Sequence, residues 1–276
     1  MAAPKDAEKV TTRSQTEVVV QDIKAMILRG ELGPGARLPI ESELAVALGV
    51  SRSSLREGVR ALAVMGVLET RQGDGTYVTS LQPSLLMSPM EFIVDLQQGN
   101  QVEHISAVRR VLEVEAAGRA ALHISRAQLD EAEQVLDSMA ELIARSGGQD
   151  HKNIMDADIA FHRLIAKASQ NPALEALIEA LSSRTVRTRM WRSISEGGAT
   201  SNTERQHAAI LQAVASGDPD RARLMMSIHL LGVEEFAATH PEEDDQEVSA
   251  APFDKPHEAG KSAGRGRTQG AVAARR

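Results

Sequence analysis

At 276 residues, with 42% hydrophobic and 2% aromatic content, the chain has room for two domains whose cores must be built from Ala, Leu, Ile, Val and Met, a composition that favours helices. It has no cysteine, which excludes disulfides and thiolate metal sites, is compatible with a reducing cytoplasm, and leaves His and carboxylate to hold any metal. The formal charge of −7 excludes coating of nucleic acid by bulk charge, though not a small basic surface on one domain.

The opening "MAAPKDAEKVTTRSQ" has no apolar centre of signal-peptide length, and no run approaches the roughly 18 apolar residues of a spanning helix. A cytoplasmic protein without membrane contact is expected. Residues 16–29 carry a helical stripe of Val19, Val20, Ile23, Met26 and Ile27, stopped by Gly30. The Gly- and Pro-dense "GELGPGARLP" must turn, and "ESELAVALG" reads as a short helix ending at Gly49. Next, "SRSSLREGVRALAVMG" starts with Ser51 as N-cap and repeats apolar positions at Leu55, Val59, Leu62 and Ala63. The two β-prone runs of "VLETRQGDGTYVTS" flank glycines suited to a hairpin. Helix, helix-turn-helix and hairpin together make a winged helix over residues 10–80.

Beyond it, "LQPSLLMSP" (81–89) reads as a proline-bearing linker. Helical periodicities follow near 90–98, 101–122, 126–146, 151–169, 172–194, 201–216 and 218–237. The expected fold class is therefore mainly α: an N-terminal winged helix-turn-helix with a small β-hairpin wing, then an all-α antiparallel helical bundle over 90–238. Residues 239–276 pass from an acidic block to a basic Ala/Gly/Arg end with almost no apolar periodicity, so disorder is expected there. Composition favours a solvated tail over one whose arginines touch phosphates.

A helix that enters the major groove needs short polar residues and arginines near its start, because Arg bonds guanine bidentately while Ser reaches phosphates or base edges. "SRSSLREGVR" supplies Arg52, Ser53, Ser54 and Arg56, with Arg60 a turn further on. A surface helix with solvated arginines is the plain alternative. The run from Gly30 to Val78 resembles the winged helix of the GntR superfamily, matching its G-x-L-x-P-G-x-x-L-P, L-G-V-S-R, L-R-E and G-x-G-x-x-V elements in order. The resemblance implies that Arg52 and Arg56 contact operator DNA and that Gly73 and Gly75 approach the minor groove. Many relatives have Ser and Arg where this chain has Ile40 and Ser42, so a helix cap and one DNA-contacting arginine are replaced, leaving Ser42 at that DNA-facing position. Gly58 stands where alanine is usual, a change that costs a helix about 0.8 to 1 kcal/mol.

In the bundle, "DADIAFHRL" places Asp158 and His162 four residues apart on one helical face, with Asp156 turned away. Spacing alone fits a metal clasp or an ordinary polar face. His207 and His229 fall at or near bundle-facing sides of two later helices, and bundles build metal sites from inward His and carboxylate groups on facing helices. The segments "VRRVLEVEAAGRAA", "DIAFHRLIAKASQNPAL", "ERQHAAILQAVASGD" and "RARLMMSIHLL" resemble the FCD-type ligand domain of the FadR subfamily. That resemblance implies a metal set of Asp158, His162, His207 and His229. Three imidazoles and a carboxylate suit a divalent transition metal, Zn²⁺ first, with Ni²⁺, Co²⁺ and Mn²⁺ as alternatives. Arg109, matching the family's R-x-x-L-E arginine, is expected either to bind an effector's carboxylate or to form a structural salt bridge. Arg187 and Arg189 either line the pocket or solvate their helix.

The expected function is that of a homodimeric transcription regulator on a roughly palindromic operator, most simply a repressor released by a small organic or sugar acid bound at the metal. A metal-dependent enzyme is the rival of another class, but no general base or nucleophile signature accompanies the site, and a non-enzyme is expected. A third reading keeps the DNA-binding half and makes the bundle a dimerisation element with a structural His set.

Overall fold

Side chains that cap backbone N–H groups set where the helices begin in this computed structural model, which describes residues 13–95 and 101–239. Ser14 opens α1 (Gln15–Leu28) through a reciprocal capping box with Glu17. Nothing caps α2 (Glu41–Leu48) at Ile40, and Glu41 and Glu43 in its first turn offset the exposed N–H groups by charge. At α3 (Arg52–Val64), Ser51 Oγ accepts from the Ser54 N–H at 3.1 Å. Strands β1 (Leu68–Arg71) and β2 (Gly75–Val78) pair antiparallel, Leu68 opposite Val78 and Arg71 opposite Gly75. Gly73 and Gly75 take the positive φ values, 76° and 140°, that the turn between them requires.

Val19, Ile23, Leu38, Leu44, Leu55, Leu62, Leu68 and Val78 form one apolar core under these elements. It explains Gly58. A Cβ at that position of α3 would lie 2.5 Å from Val19 Cγ1 on α1, so the helix propensity lost at glycine is exchanged for close approach of two helices.

The segment expected to be a linker is a correction: only Leu81 and Gln82 remain outside α4 (Pro83–Asp95), which begins seven residues before the expected start at 90. Pro83 sits at the first helical position, where its missing N–H costs nothing and its fixed φ favours the helix. Pro89 lies inside the helix and has no N–H to offer the Leu85 carbonyl. That carbonyl faces Gly66, which follows α3 with φ of 72° and leaves no room there for a Cβ. The winged helix therefore abuts α4 through backbone. Expected helical residues 96–98, the expected tail from 240 onward and positions 10–12 lie outside the described residues.

Six further helices complete the described chain: α5 (Gln101–His123), α6 (Arg126–Ser146), α7 (His151–Ala168), α8 (Pro172–Ser195), α9 (Ala199–Ala215) and α10 (Pro219–Thr239). A capping box from Ser125 and Gln128 starts α6, Gly147 in the left-handed region ends it, and Asn171 with Pro172 starts α8. Helix α5 is central, in contact with α7, α8, α9 and α10. Its buried Ala117, Ala120 and Ala121 let it come close, and Phe161, Ile165, Ile210, Val214, Met226 and Leu230 close around them. Full burial of each larger side chain contributes about 1.5 to 3 kcal/mol. Helix α4 packs along α8. No helix among the described residues is long and apolar enough to cross a membrane.

Candidate metal centre and nucleic-acid interface

Helix α7 turns Asp158 and His162 inward, both 3% exposed, while α9 brings His207 and α10 brings His229 to the same point. One ligand atom from each of the four lies within 4.8 Å of all the others. His207 Nε2 is 3.3 Å from His229 Nε2 and 3.5 Å from Asp158 Oδ1, and His162 Nε2 is 3.9 Å from that oxygen. Tetrahedral Zn–N bonds of about 2.0 Å place neighbouring donors about 3.3 Å apart; the His207–His229 pair stands at that spacing, and the other donors are set wider, within 4.8 Å of one another, around a point one ion could occupy.

The outer nitrogens show how the rings are aimed. Glu113 Oε2 holds His162 Nδ1, and Gln206 Oε1 holds His229 Nδ1 at 2.9 Å. Both rings thereby present Nε2 to the centre, the arrangement in which an outer-shell acceptor fixes tautomer and orientation. Buried His162 Nε2 has no hydrogen-bond partner, which is costly unless a ligand satisfies it. Burial pushes the pKa of His207 down to about 3 and that of His229 well below the ordinary value. Both rings are neutral near pH 7, the form that ligates a metal.

The carboxylates are ionised for a different reason. Burial would raise the pKa of Glu113, but Arg109 and His162 outweigh it and hold the group down at about 2. Asp158 is likewise lowered despite burial, chiefly by Arg189 and His162. Arg109 is 2% exposed, pairs through Nε with Glu113 Oε1, donates through Nη1 to Thr185 Oγ1, and keeps Nη2 without a hydrogen-bond partner. It is thus a salt-bridge partner with one open donor.

Two further residues complete this centre, Glu113, which the sequence reading did not single out, and Arg189, which it left between two places. Glu113, four residues after Arg109, joins that arginine to His162; the common helical face was visible in the sequence, but the partner across the bundle was not. Arg189, for which the sequence allowed either a pocket-lining or a solvated place, lines the pocket: it is 5% exposed and pairs through Nη1 with Asp158 Oδ2, with Nε and Nη2 unpartnered. Burial and Arg109 lower its pKa to about 10, so it remains a cation at neutral pH. The Arg187 side chain lies outside the described residues. Two cavities meet at Arg189: one is lined by Asp158, Arg192, Thr200 and His229, the other by Arg109, His162 and Ser182.

In the winged helix, Arg52 and Ser53 are exposed at the start of α3, as a groove-reading helix needs. Arg56 is exposed as well and pairs with Glu41 Oε2 at 2.8 Å. Ser54 stands apart: it is half-buried, with its hydroxyl 2.9 Å from Ser51 Oγ and donating to Gln15 Oε1 at 3.1 Å. Its bonds join α3 to α1. Ser42 is also half-buried. Gly73 and Gly75 border a groove shared with Arg37, Arg56 and Arg71. The sequence reading omitted Arg37 and Arg71, both exposed; Arg37 Nε would lie 2.8 Å from a Cβ at Gly75, and the Arg71 guanidinium sits 4.2 Å over the Tyr77 ring.

Comparison with known proteins accounts for both halves. Residues 15–78 match the gntR family of bacterial regulatory proteins, and residues 104–232 match the FCD domain. The HTH-type transcriptional regulator LutR of Bacillus subtilis is 34% identical over 225 residues, covering 80% of this chain and all of that protein. A putative L-lactate dehydrogenase operon regulatory protein of Escherichia coli is 28% identical, covering 80% of this chain and 85% of the relative. The HTH-type transcriptional repressor NanR of Klebsiella aerogenes is also 28% identical, over 79% of this chain and 83% of its own length. Among solved structures, Streptococcus agalactiae GntR superposes with a TM-score of 0.56 at 29% identity, covering 80% of this chain and 99% of that one. These relatives carry the names of regulators, not of enzymes, in line with the non-enzyme expected from the sequence. The chain belongs to the gntR family of bacterial transcription regulators, with a winged helix-turn-helix followed by an FCD effector-binding domain.

Proposed function

We propose that the protein works in the cytoplasm as a homodimeric repressor whose affinity for a roughly palindromic operator is set by a small organic acid bound at a divalent metal. One observation carries this reading: three imidazoles and Asp158 converge beside buried guanidinium N–H groups of Arg109, Arg189 and Arg192 that have no hydrogen-bond partner. Buried donors of this kind are expensive unless an acceptor meets them, and a carboxylate does so with charge. Asp158, His162, His207 and His229 would hold the ion, which supplies Lewis acidity toward an acid's oxygens; Zn²⁺ fits the donor set best, with Ni²⁺, Co²⁺ and Mn²⁺ as alternatives. A repressor named NanR and a regulator named for a lactate dehydrogenase operon among the relatives support both the sign of action and an acid as effector.

Arg52, Ser53 and Arg56 would read the major groove, with Gly73 and Gly75 letting the wing approach the minor groove. Ser42 and Ser54 would contribute at the margin, Ser54 chiefly by holding the front of α3. An effector shifts operator affinity only through different affinity for two arrangements of the paired winged helices. The α4 helix is the natural connection, because it abuts Gly66 beyond α3 and packs along α8, which carries Arg189.

The test is a metal analysis of the purified full chain, then thermal-shift screening of carboxylic acids with and without chelator, then operator binding with each hit. Expected are one transition-metal ion per chain, acid-dependent stabilisation abolished by chelator, and weaker operator binding with the acid. A chain that neither holds a transition metal nor gains stability on adding Zn²⁺ sinks the reading and leaves the bundle as a dimerisation element.

A further inference from the structure

We propose that the effector is a dianion, a short dicarboxylate, whose second carboxylate is held by Arg192. The inference rests on the reading of the centre as an acid sensor and adds the class of acid.

Charge is the first argument. Arg109 is offset by Glu113 and Arg189 by Asp158, all four deeply buried. With Glu113 already paired to Arg109 and Asp158 to Arg189, a divalent ion brings two positive charges that no side chain at the centre compensates. Net charge in a low-dielectric interior is costly. A monocarboxylate removes half of it; a dicarboxylate removes all of it.

Position is the second. Arg192 lies three residues after Arg189 on α8, hence on the same face. It is 7% exposed, and its Nε pairs at 2.7 Å with Glu196, which is itself 46% exposed at the rim. Its Nη1 is buried without a hydrogen-bond partner. The guanidinium rests against α10 at Gly232, where a Cβ would be 3.5 Å from Nη1. Gly232 is three residues beyond His229 on the same face of α10, and Arg192 lines the cavity that Asp158 and His229 also line. One cavity thus offers a short carbon chain two anchors, the ion and Arg189 for one carboxylate and Arg192 for the other.

Lining is the third. The cavity that joins Asp158 and His229 to Arg192 also presents the hydroxyls of Thr200 and Thr203, with Met139, Met155 and Val233 as apolar walls. Hydroxyls beside a guanidinium complete the bonds of a carboxylate that no metal touches.

Calorimetric titration of the zinc-loaded full chain decides the matter, with succinate, malate, tartrate and adipate each compared with its monomethyl ester, and with lactate as a monocarboxylate. At least one diacid is expected to bind about tenfold or more tighter than its ester and than lactate. In Arg192→Gln this ratio falls toward one, and in Arg192→Lys, which keeps the charge, part of it returns. Esters or lactate binding as tightly as every diacid overturns the dianion while acid sensing stands. Zinc binding without binding of any acid overturns both. A ratio unchanged in a folded Arg192→Gln chain removes Arg192 from the site. Should that variant fail to fold, the diacid-to-ester ratio of the unaltered chain still decides the class of acid.

Discussion

The winged helix and the bundle hold their functional polar groups in opposite ways. In α3 and the wing, Arg52, Arg56, Arg37 and Arg71 stand in solvent, and the pair Arg56–Glu41 leaves both side chains more than half exposed. In the bundle, Asp158, His162, His207, His229, Glu113 and Arg109 are 0% to 3% exposed and bonded to one another. Water is the alternative partner for the first set, so each member acts almost alone. Nothing replaces a lost partner in the second set, so its members stand or fall together.

The largest expected effect tests that interdependence. Glu113→Ala strands Arg109 and releases His162 Nδ1, so the full chain should lose about 3 to 5 kcal/mol of stability, and zinc affinity should fall about 10- to 100-fold. Denaturant melts of the metal-free chain and zinc competition titrations measure the two separately. A stability loss below 1 kcal/mol would mean that the buried chain of contacts is not coupled.

Next in size is Gly58→Ala. Helix propensity favours alanine by about 0.8 to 1 kcal/mol, but the new methyl meets Val19 Cγ1 at 2.5 Å, and overpacking costs about 1 to 3 kcal/mol. The winged helix should be destabilised, and thermal denaturation of the full chain followed by operator titration checks it. A gain in stability would show that α1 gives way at Val19.

How much of this was legible in the sequence differs along the same divide. The bundle helices α6 and α8 are bounded by signals adjacent in the chain, Ser125 with Gln128, Gly147, and Asn171 with Pro172, and periodicity placed them well. The beginning of α4 was missed because Pro83 and Pro89 both read as breakers, when one is a helix starter and the other is tolerated. Asp158 and His162 share a face by helical geometry alone. His207 and His229 required a resemblance, since packing of α9 and α10 against α7, not spacing, brings them in. Glu113 and Arg189 were harder still, because a partner across helices depends on crossing angle and on which side chain is long enough to reach.

Arg52→Ala isolates the exposed regime. Stability should stay within about 0.5 kcal/mol, while operator binding weakens by about 1 to 3 kcal/mol and base preference relaxes at one position of each half-site. Gel-shift titration against single-base operator variants reads both, and unaltered affinity with unaltered preference removes Arg52 from the DNA-reading set.

The smallest effect is expected at Glu41→Gln. The pair with Arg56 is exposed on both sides, and such pairs contribute about 0 to 1 kcal/mol, so melting should barely move. The same change frees Arg56 from its carboxylate and removes a negative charge from the surface offered to phosphates. Operator affinity should therefore rise slightly, most visibly at low salt, where the Debye length is about 30 Å at 0.01 M. Weaker binding with unchanged stability would instead mean that Glu41 positions Arg56 for the groove, and the ion pair would then belong to the DNA-reading geometry.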